Sequence, residues 1–221
     1  MGSSLAPMIT SGESARGNGG REEAMKGMFL FAAAVWASAA SADVTATCGW
    51  EGVETILGSY GGIIATIDTD PVHGGSQSLR LEHNDPSGTP QAYIAWVTGL
   101  SDGDAVTASF WRYDVTPSAA PSCRIWAHWN DDPGDIYGYA GSASGQSDYG
   151  PGTGWDMATY TWDVANGHTG LVIEARVYSD PGDTVWIDDL VVTAPDGCGI
   201  IVPSDQPGLE QDTWASIKAM F

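Results

Sequence analysis

Basic residues are scarce in this sequence. Lysine and arginine together number 8 against 28 aspartates and glutamates, so the formal net charge at pH 7 is -20. Such a charge repels phosphate backbones and anionic lipid, which argues against a nucleic-acid-binding or membrane-surface protein. It favours solubility and divalent cations, although an acidic surface that is merely solvated is the commoner explanation.

Long apolar runs are also missing. The one run of note covers residues 28–36, follows Lys26 and precedes the small residues 40–42, and these are the parts of a signal peptide. It is too short to span a bilayer as a stable anchor. We therefore expect residues 1–42 to be an upstream leader plus signal peptide, with the protein exported by a bacterium to the medium or cell surface and with no stable membrane insertion.

Helical periodicity is absent from residue 43 to residue 192. Short segments of alternating polarity are separated instead by clusters of Gly, Pro, Asn and Asp, which is typical of a sandwich or barrel. The predicted strands are 63–67, 78–83, 92–97, 105–115, 122–129, 159–164, 171–178 and 185–193. The pattern predicts an all-β fold, a two-sheet antiparallel jelly-roll sandwich over residues 43–202.

Two segments of the chain do not fit a core strand. Residues 138–154 are dominated by Gly, Ser, Asp and Tyr and are predicted to form a long surface loop, which either binds something or is only mobile. Residues 203–221 are predicted to be a linker followed by a short C-terminal helix. That tail is either a plain frayed helix or a sorting or docking tag.

Cysteine is rare as well, with three residues in the chain. In an exported protein this number suggests one disulfide and one remaining thiol. Cys48 precedes the first predicted strand and Cys198 follows the last, and the terminal strands of a jelly roll lie side by side, so we expect a Cys48–Cys198 disulfide. Cys123 alternates with Ile125 and Ala127 and is expected to be a buried, inert residue.

Three separated motifs carry the strongest functional signal. They are Gly-Trp-Glu at 49–51, His-Gly-Gly-Ser-Gln-Ser-Leu-Arg-Leu at 73–81 and Trp-Ile-Asp-Asp-Leu-Val-Val at 186–192. In this order and spacing, the chain resembles the calcium-containing carbohydrate-binding modules of the galactose-binding-like superfamily. The resemblance covers residues 49–193 and implies a jelly-roll fold, a structural calcium ion and a polysaccharide or glycan as partner.

The same resemblance implies the ligands of that calcium. Calcium takes six to eight oxygen ligands from carboxylates and carbonyls. By resemblance, Glu51 and Asp188 supply carboxylates, and the turn around His73, Gly75 and Gln77 supplies carbonyl oxygens. The alternative is that Glu51 and Asp188 are ordinary surface acids at strand ends.

Alternation along three predicted strands indicates a second functional face. Val106, Ala108 and Phe110 look like core residues; the same count sends Arg112 and Asp114 inward, so the core pattern is expected to end or bulge after Phe110. The outward residues of the three strands are predicted to form one aromatic and charged face that binds sugar: Trp111, Tyr113, Arg124, Trp126, His128, Glu174, Arg176 and Tyr178. Alternatively, loops cover Trp111 and Trp126, and Arg124, Arg176 and Glu174 form a structural ion-pair ladder.

Signals for catalysis are poor. The chain has no Glu-x-Asp-x-x-Glu motif, no Gly-x-Ser-x-Gly motif and no histidines at metal-ligand spacing. We therefore expect a secreted, non-catalytic carbohydrate-binding module, not an enzyme. The alternatives are a structural or adhesive surface domain without a sugar site and, third, a small jelly-roll lyase or hydrolase. An open groove at Trp111 and Trp126 would favour the first, a filled groove the second, and a close carboxylate pair the third.

Overall fold

The computed structural model of the chain describes residues 42–86, 88–115, 122–147, 149–150 and 152–205. The predicted leader, signal peptide and C-terminal helix lie outside these residues, apart from 42 and 203–205. Within the described ranges, no helix is long and apolar enough to cross a membrane.

The described residues form an antiparallel β-sandwich, which confirms the predicted fold class. In chain order the strands are β1 (Val44–Cys48), β2 (Gly58–Tyr60), β3 (Ile63–Asp68), β4 (Ser78–His83), β5 (Gln91–Thr98), β6 (Ala105–Asp114), β7 (Ser122–Trp129), β8 (Gly141–Gly145), β9 (Gly154–Asp163), β10 (Gly170–Tyr178), β11 (Thr184–Ala194) and β12 (Gly199–Ile201). Sheet A has the order β3-β4-β11-β6-β9, with β1 also paired to β11. Sheet B has the order β12-β5-β10-β7-β8, with β2 also paired to β5.

Strand β8 lies where a long loop was predicted. The segment that was expected to be a loop over 138–154 pairs with β7 from Gly141 to Gly145. Because a Cβ at Gly145 would collide with the carbonyl oxygen of Ile125, only glycine permits this close approach. The composition of this segment was misleading, because its small residues allow the backbones of β7 and β8 to lie close together.

The core between the sheets follows the predicted alternation on β6, β7 and β10. The inward residues there are buried, among them Phe110, Ile125 and Ile173. The expected break after Phe110 is wrong, because β6 continues to Asp114 with Arg112 and Asp114 buried in the same alternation. Arg112 is accommodated inside by two hydrogen bonds to Asp156 Oδ2, of 2.7 and 3.1 Å, and by one to the Cys123 carbonyl.

The predicted Cys48–Cys198 disulfide is wrong in this structure, where all three cysteines are free thiols. Cys48 pairs with Leu190 in sheet A, whereas Cys198 lies beyond Ala194, which is the partner of Val44 at the other end of β1. Cys48 and Cys198 therefore lie towards opposite ends of β1, and four residues of extended strand, about 13 Å, separate them. Burial raises the pKa of the Cys48 and Cys123 thiols to about 12, which disfavours the reactive thiolate form.

Candidate functional site

The predicted sugar-binding face is divided between the two sheets. Trp111 and Tyr113 belong to β6 in sheet A, whereas the other six predicted residues belong to β7 and β10 in sheet B. The eight side chains therefore do not form one surface. Alternation predicted correctly that each points away from the core, but it carries no information on which strands share a sheet.

The sheet A part of this set is packed rather than open. The His73 ring stacks on Trp111, with ring centroids 4.0 Å apart and an interplanar angle of 15°. Tyr113 makes edge contacts with Trp155 on β9 and Trp186 on β11 at centroid distances of 5.3 and 6.0 Å. The prediction missed Trp155 and Trp186 as members of this aromatic cluster, because only strand register brings them beside Tyr113.

The sheet B part is organised around Glu174. Its carboxylate is fully buried, with Oε1 2.5 Å from His128 Nδ1 and Oε2 accepting a 2.6 Å hydrogen bond from Arg176 Nε. The guanidinium of Arg176 lies 4.7 Å above the Trp126 ring. These contacts agree with the ion-pair alternative for Arg176 and Glu174, whereas Arg124 is separate from them.

Arg124 belongs to a neighbouring stack. Its guanidinium lies 3.5 Å from the centre of the Tyr149 ring and 4.4 Å from that of Tyr178. Cation–π contacts on two sides hold this arginine away from the Glu174 carboxylate. Arg124 and Tyr178 were both predicted to bind sugar, but here they stabilise each other.

An open cleft of about 520 Å³ lies on sheet B beside the Glu174 network. We call it the tyrosine cleft. Its lining residues are Tyr60, Gln91, Tyr93, His128, Tyr137, Tyr139 and Arg176. Three of its tyrosines are largely exposed, at 66% for Tyr60, 59% for Tyr137 and 69% for Tyr139. Of the predicted sugar-binding residues, His128 and Arg176 line the cleft and Glu174 holds them from below.

The four tyrosines were missed because they come from separate parts of the chain. Tyr60 ends β2, Tyr93 lies on β5, and Tyr137 and Tyr139 precede β8. Strand β2 has three residues and gives no periodic signal, and Tyr137 and Tyr139 lie in or beside the predicted loop. Strand pairing in the order β2-β5-β10-β7-β8 brings these segments together.

The Tyr93 hydroxyl and the Nε2 atom of His128 are two polar groups of the cleft with unusual surroundings. Burial, and secondarily the charge of Glu174, raise the pKa of Tyr93 to about 12, so its hydroxyl keeps its proton at neutral pH. Among the described residues, His128 Nε2 is buried without a hydrogen-bond partner, although the ring lines the cleft. The Tyr139 ring, which is largely exposed, lies 5.6 Å from the His128 ring. An unpaired buried nitrogen is costly to the fold, because the hydrogen bond that it would make with water is lost.

The residues predicted to bind calcium lie together beside sheet A, where backbone N–H groups of the 73–77 turn face the Glu51 and Asp188 carboxylates. Glu51 Oε1 accepts hydrogen bonds from the backbone N–H groups of Ser76 and Gln77 at 2.8 and 3.2 Å, and Oε2 accepts one from the Ser76 hydroxyl at 2.7 Å. These hydrogen bonds, led by that from the Ser76 hydroxyl, lower the pKa of Glu51. A side chain at Gly75, which has φ +65°, would collide with the Glu51 carboxylate.

Asp188 is fully buried behind the same turn. Its Oδ2 accepts hydrogen bonds from the N–H groups of His73 and Gly74 at 2.9 and 3.0 Å, and its Oδ1 accepts one from Asp189 at 2.8 Å. Burial raises the pKa of Asp188 despite these three donors. The Gln77 amide, oriented so that both its atoms are satisfied, donates to the Trp50 carbonyl at 2.9 Å. No basic side chain is hydrogen-bonded to the Asp188 carboxylate in the described part of the chain.

The Glu51 and Asp188 carboxylates are oxygen ligands of the kind that calcium prefers over softer ligands, whereas the groups of the turn that face them are N–H donors. Among the described residues, however, no three His, Cys, Asp or Glu side chains lie close enough together to hold a metal ion. A calcium ion here would therefore need carbonyl oxygens of residues 73–77 in addition to the Glu51 and Asp188 carboxylates.

No protein-family model and no curated protein matches the chain. Carbohydrate-binding modules are among the solved structures that it resembles. The CBM22-1 xylan-binding domain of Xyn10C from Paenibacillus barcinonensis is 16% identical, with 71% of this chain and 98% of that domain covered and a TM-score of 0.48.

Two further solved structures illustrate the range of these likenesses. The C-terminal family 22 carbohydrate-binding module of Clostridium thermocellum Xyn10B is 17% identical, with 67% of this chain and 96% of that one covered and a TM-score of 0.40. The K1 cleaved adhesin domain of Lys-gingipain from Porphyromonas gingivalis W83 is 10% identical, with 67% and 97% covered and a TM-score of 0.41. Likenesses this distant assign no ligand to the present chain.

Proposed function

We propose that this protein is a secreted, non-catalytic module that binds a polysaccharide or glycan in the tyrosine cleft. The observation that carries the proposal is the cleft itself, in which three exposed tyrosines surround polar groups held by a buried carboxylate. Flat aromatic rings pack against the apolar faces of pyranose rings, and a few fixed polar groups bond hydroxyls. The Gln91 amide and the Arg176 guanidinium are such groups.

Other side chains cover the rings of Trp111 and Trp126. This observation by itself would favour a structural or adhesive domain. The open tyrosine cleft supports glycan binding instead, at a different position on sheet B. A glycosidase would need a second carboxylate opposite the first. Among the described residues, no acidic side chain lines the cleft, and Glu174 is sealed beneath it.

We expect Tyr139→Ala to weaken glycan binding without destabilising the fold. The side chain is 69% exposed, so the fold loses little packing when it is removed, whereas a bound sugar would lose an aromatic contact. A glycan array on the full chain identifies the ligand, and titration calorimetry then measures its dissociation constant. The expected increase is roughly 5-fold to 100-fold.

Tyr149→Ala is the control for this substitution, since it makes the same chemical change outside the cleft. Its affinity should match that of the wild type. Glycan binding that survives Tyr139→Ala and Tyr137→Ala together would show that the cleft is not the sugar site.

We also propose that the turn at residues 73–77 binds a structural calcium ion with Glu51 and Asp188. The buried Asp188 carboxylate, whose partners are neutral N–H groups, supports this because a cation would offset its cost of burial. Saturating calcium should raise the stability by RT ln(1 + [Ca]/Kd), about 2.7 kcal/mol at 100 times Kd. For a domain of this size that corresponds to a Tm increase of roughly 5–10 °C over chelator-treated protein.

Differential scanning calorimetry with and without excess chelator measures this difference, and magnesium serves as the control cation. Glu51→Gln should remove most of the calcium response. If chelated wild-type protein melts at the same temperature as calcium-loaded protein, the calcium proposal fails and the carboxylates serve only as hydrogen-bond acceptors.

A further inference from the structure

Arg176 is held in the tyrosine cleft by contacts that leave the two terminal nitrogens of its guanidinium without a partner among the described residues. Its Nε donates to Glu174 Oε2, and its plane lies over the Trp126 ring. In the part of the chain that the structure describes, neither terminal nitrogen has a hydrogen-bond partner, and neither is a fully buried atom. The two Nη atoms are thus a fixed, accessible fork of N–H donors.

The charges around this fork are unusual for so acidic a chain. The chain has 28 acidic residues, yet none of the seven residues that line the cleft is acidic. Glu174 is the nearby carboxylate, and its two oxygens are occupied by Arg176 Nε and the His128 ring on the buried side. It therefore fixes the guanidinium without competing for the Nη donors.

The rest of the cleft also offers donors. Gln91 is the register partner of Arg176 across β5 and β10, so its amide lies beside the fork. Tyr93 keeps its hydroxyl proton, as its raised pKa indicates. A guanidinium with two free parallel N–H groups matches the two oxygens of a carboxylate, and such charge-assisted hydrogen bonds are about twice as strong as neutral ones.

We infer that the tyrosine cleft selects glycans that carry uronic acid residues, with the sugar carboxylate bound by the Nη fork of Arg176. This inference rests on the proposed function, since it names the class of sugar for the same site. The net charge of -20 repels a polyanion at long range. At physiological ionic strength, charges beyond about 8 Å are largely screened, so the groups within the cleft decide the preference.

The test compares acidic tetrasaccharides with neutral ones of the same backbone. The probes are tetramers of β-1,4-glucuronate and α-1,4-galacturonate and their carboxyl-reduced counterparts, titrated into the full chain at physiological salt. At least one acidic tetramer should bind roughly 10-fold or more tightly than its reduced form. This comparison uses the wild-type protein and does not depend on any variant folding.

Arg176→Lys then tests the fork, because lysine keeps the charge but cannot bond a carboxylate bidentately. Its affinity for the acidic tetramer should fall roughly 10-fold, with a smaller change for a neutral glycan. Arg124→Lys, on the same face but outside the cleft, should bind like the wild type. A melting curve of each variant confirms that it is folded.

The outcomes separate this inference from the proposed function. Equal affinity for acidic and reduced tetramers, or tighter binding of the reduced ones, overturns uronate selection but leaves glycan binding intact. If the acidic tetramers do not bind while neutral glycans on an array do, the inference alone fails. If no glycan of either kind binds, both fail.

Discussion

Glu174→Ala is expected to destabilise the fold by about 3–5 kcal/mol. The substitution leaves the buried His128 ring without its Nδ1 partner, and it leaves the inward-facing Nε of Arg176 without the carboxylate that it now contacts. Removing a carboxylate that is the shared acceptor of two inward-facing nitrogens is costly because both nitrogens are left without a hydrogen bond. Urea unfolding at neutral pH measures the loss as a lower midpoint with an unchanged slope.

Glu82→Ala is the matched control for this prediction. Glu82 accepts a 2.8 Å hydrogen bond from Arg80 in a pair that is partly open to solvent. Such pairs contribute about 0–1 kcal/mol, since water replaces the lost contact. Similar losses for the two variants would mean that the Glu174 network does not stabilise the cleft floor.

Trp50→Ala is expected to cost about 3–5 kcal/mol, as other truncations of buried tryptophan do. Trp50 is fully buried just after β1, and its Nε1 donates a 2.8 Å hydrogen bond to the Thr55 carbonyl. Its own carbonyl accepts from Gln77, which ties the turn of the proposed calcium site to the core. Alanine would leave both a cavity and an unpaired carbonyl at Thr55.

Trp155→Ala provides the comparison, because Trp155 lies half-buried on the outer face of sheet A. Removing it takes less apolar surface out of the protein interior, so the loss should be clearly smaller. Thermal unfolding of the two variants in excess chelator measures the packing effect without a contribution from metal binding. Equal losses would contradict the role of Trp50 as a core residue.

The proposed calcium turn and the tyrosine cleft lie on different sheets. The turn contacts sheet A, where His73 stacks on Trp111, whereas the cleft is built from β2, β5, β7 and β10 of sheet B. No residue of 73–77 lines the cleft within the described chain. A calcium ion at this turn would therefore stabilise the sandwich rather than contact the sugar.

Much of the strand structure could be predicted from the sequence. Alternation identified the core-facing side of β7, β10 and the first half of β6, because successive side chains of a strand point to opposite sides whatever the strand pairs with. The family resemblance also implied that Glu51, the 73–77 turn and Asp188 would lie close together. Strands with little apolar signal, such as β2 and β8, were missed.

The sequence by itself therefore determined which side of each main strand is buried and which segments flank the proposed calcium turn. Only the tertiary structure decided that Trp111 lies on a different sheet from Trp126, that Cys48 and Cys198 are separated, and that the tyrosines of the cleft meet. The reason is physical. Side-chain direction is a local property of the extended backbone, whereas strand partnership depends on packing between segments that are distant in the chain.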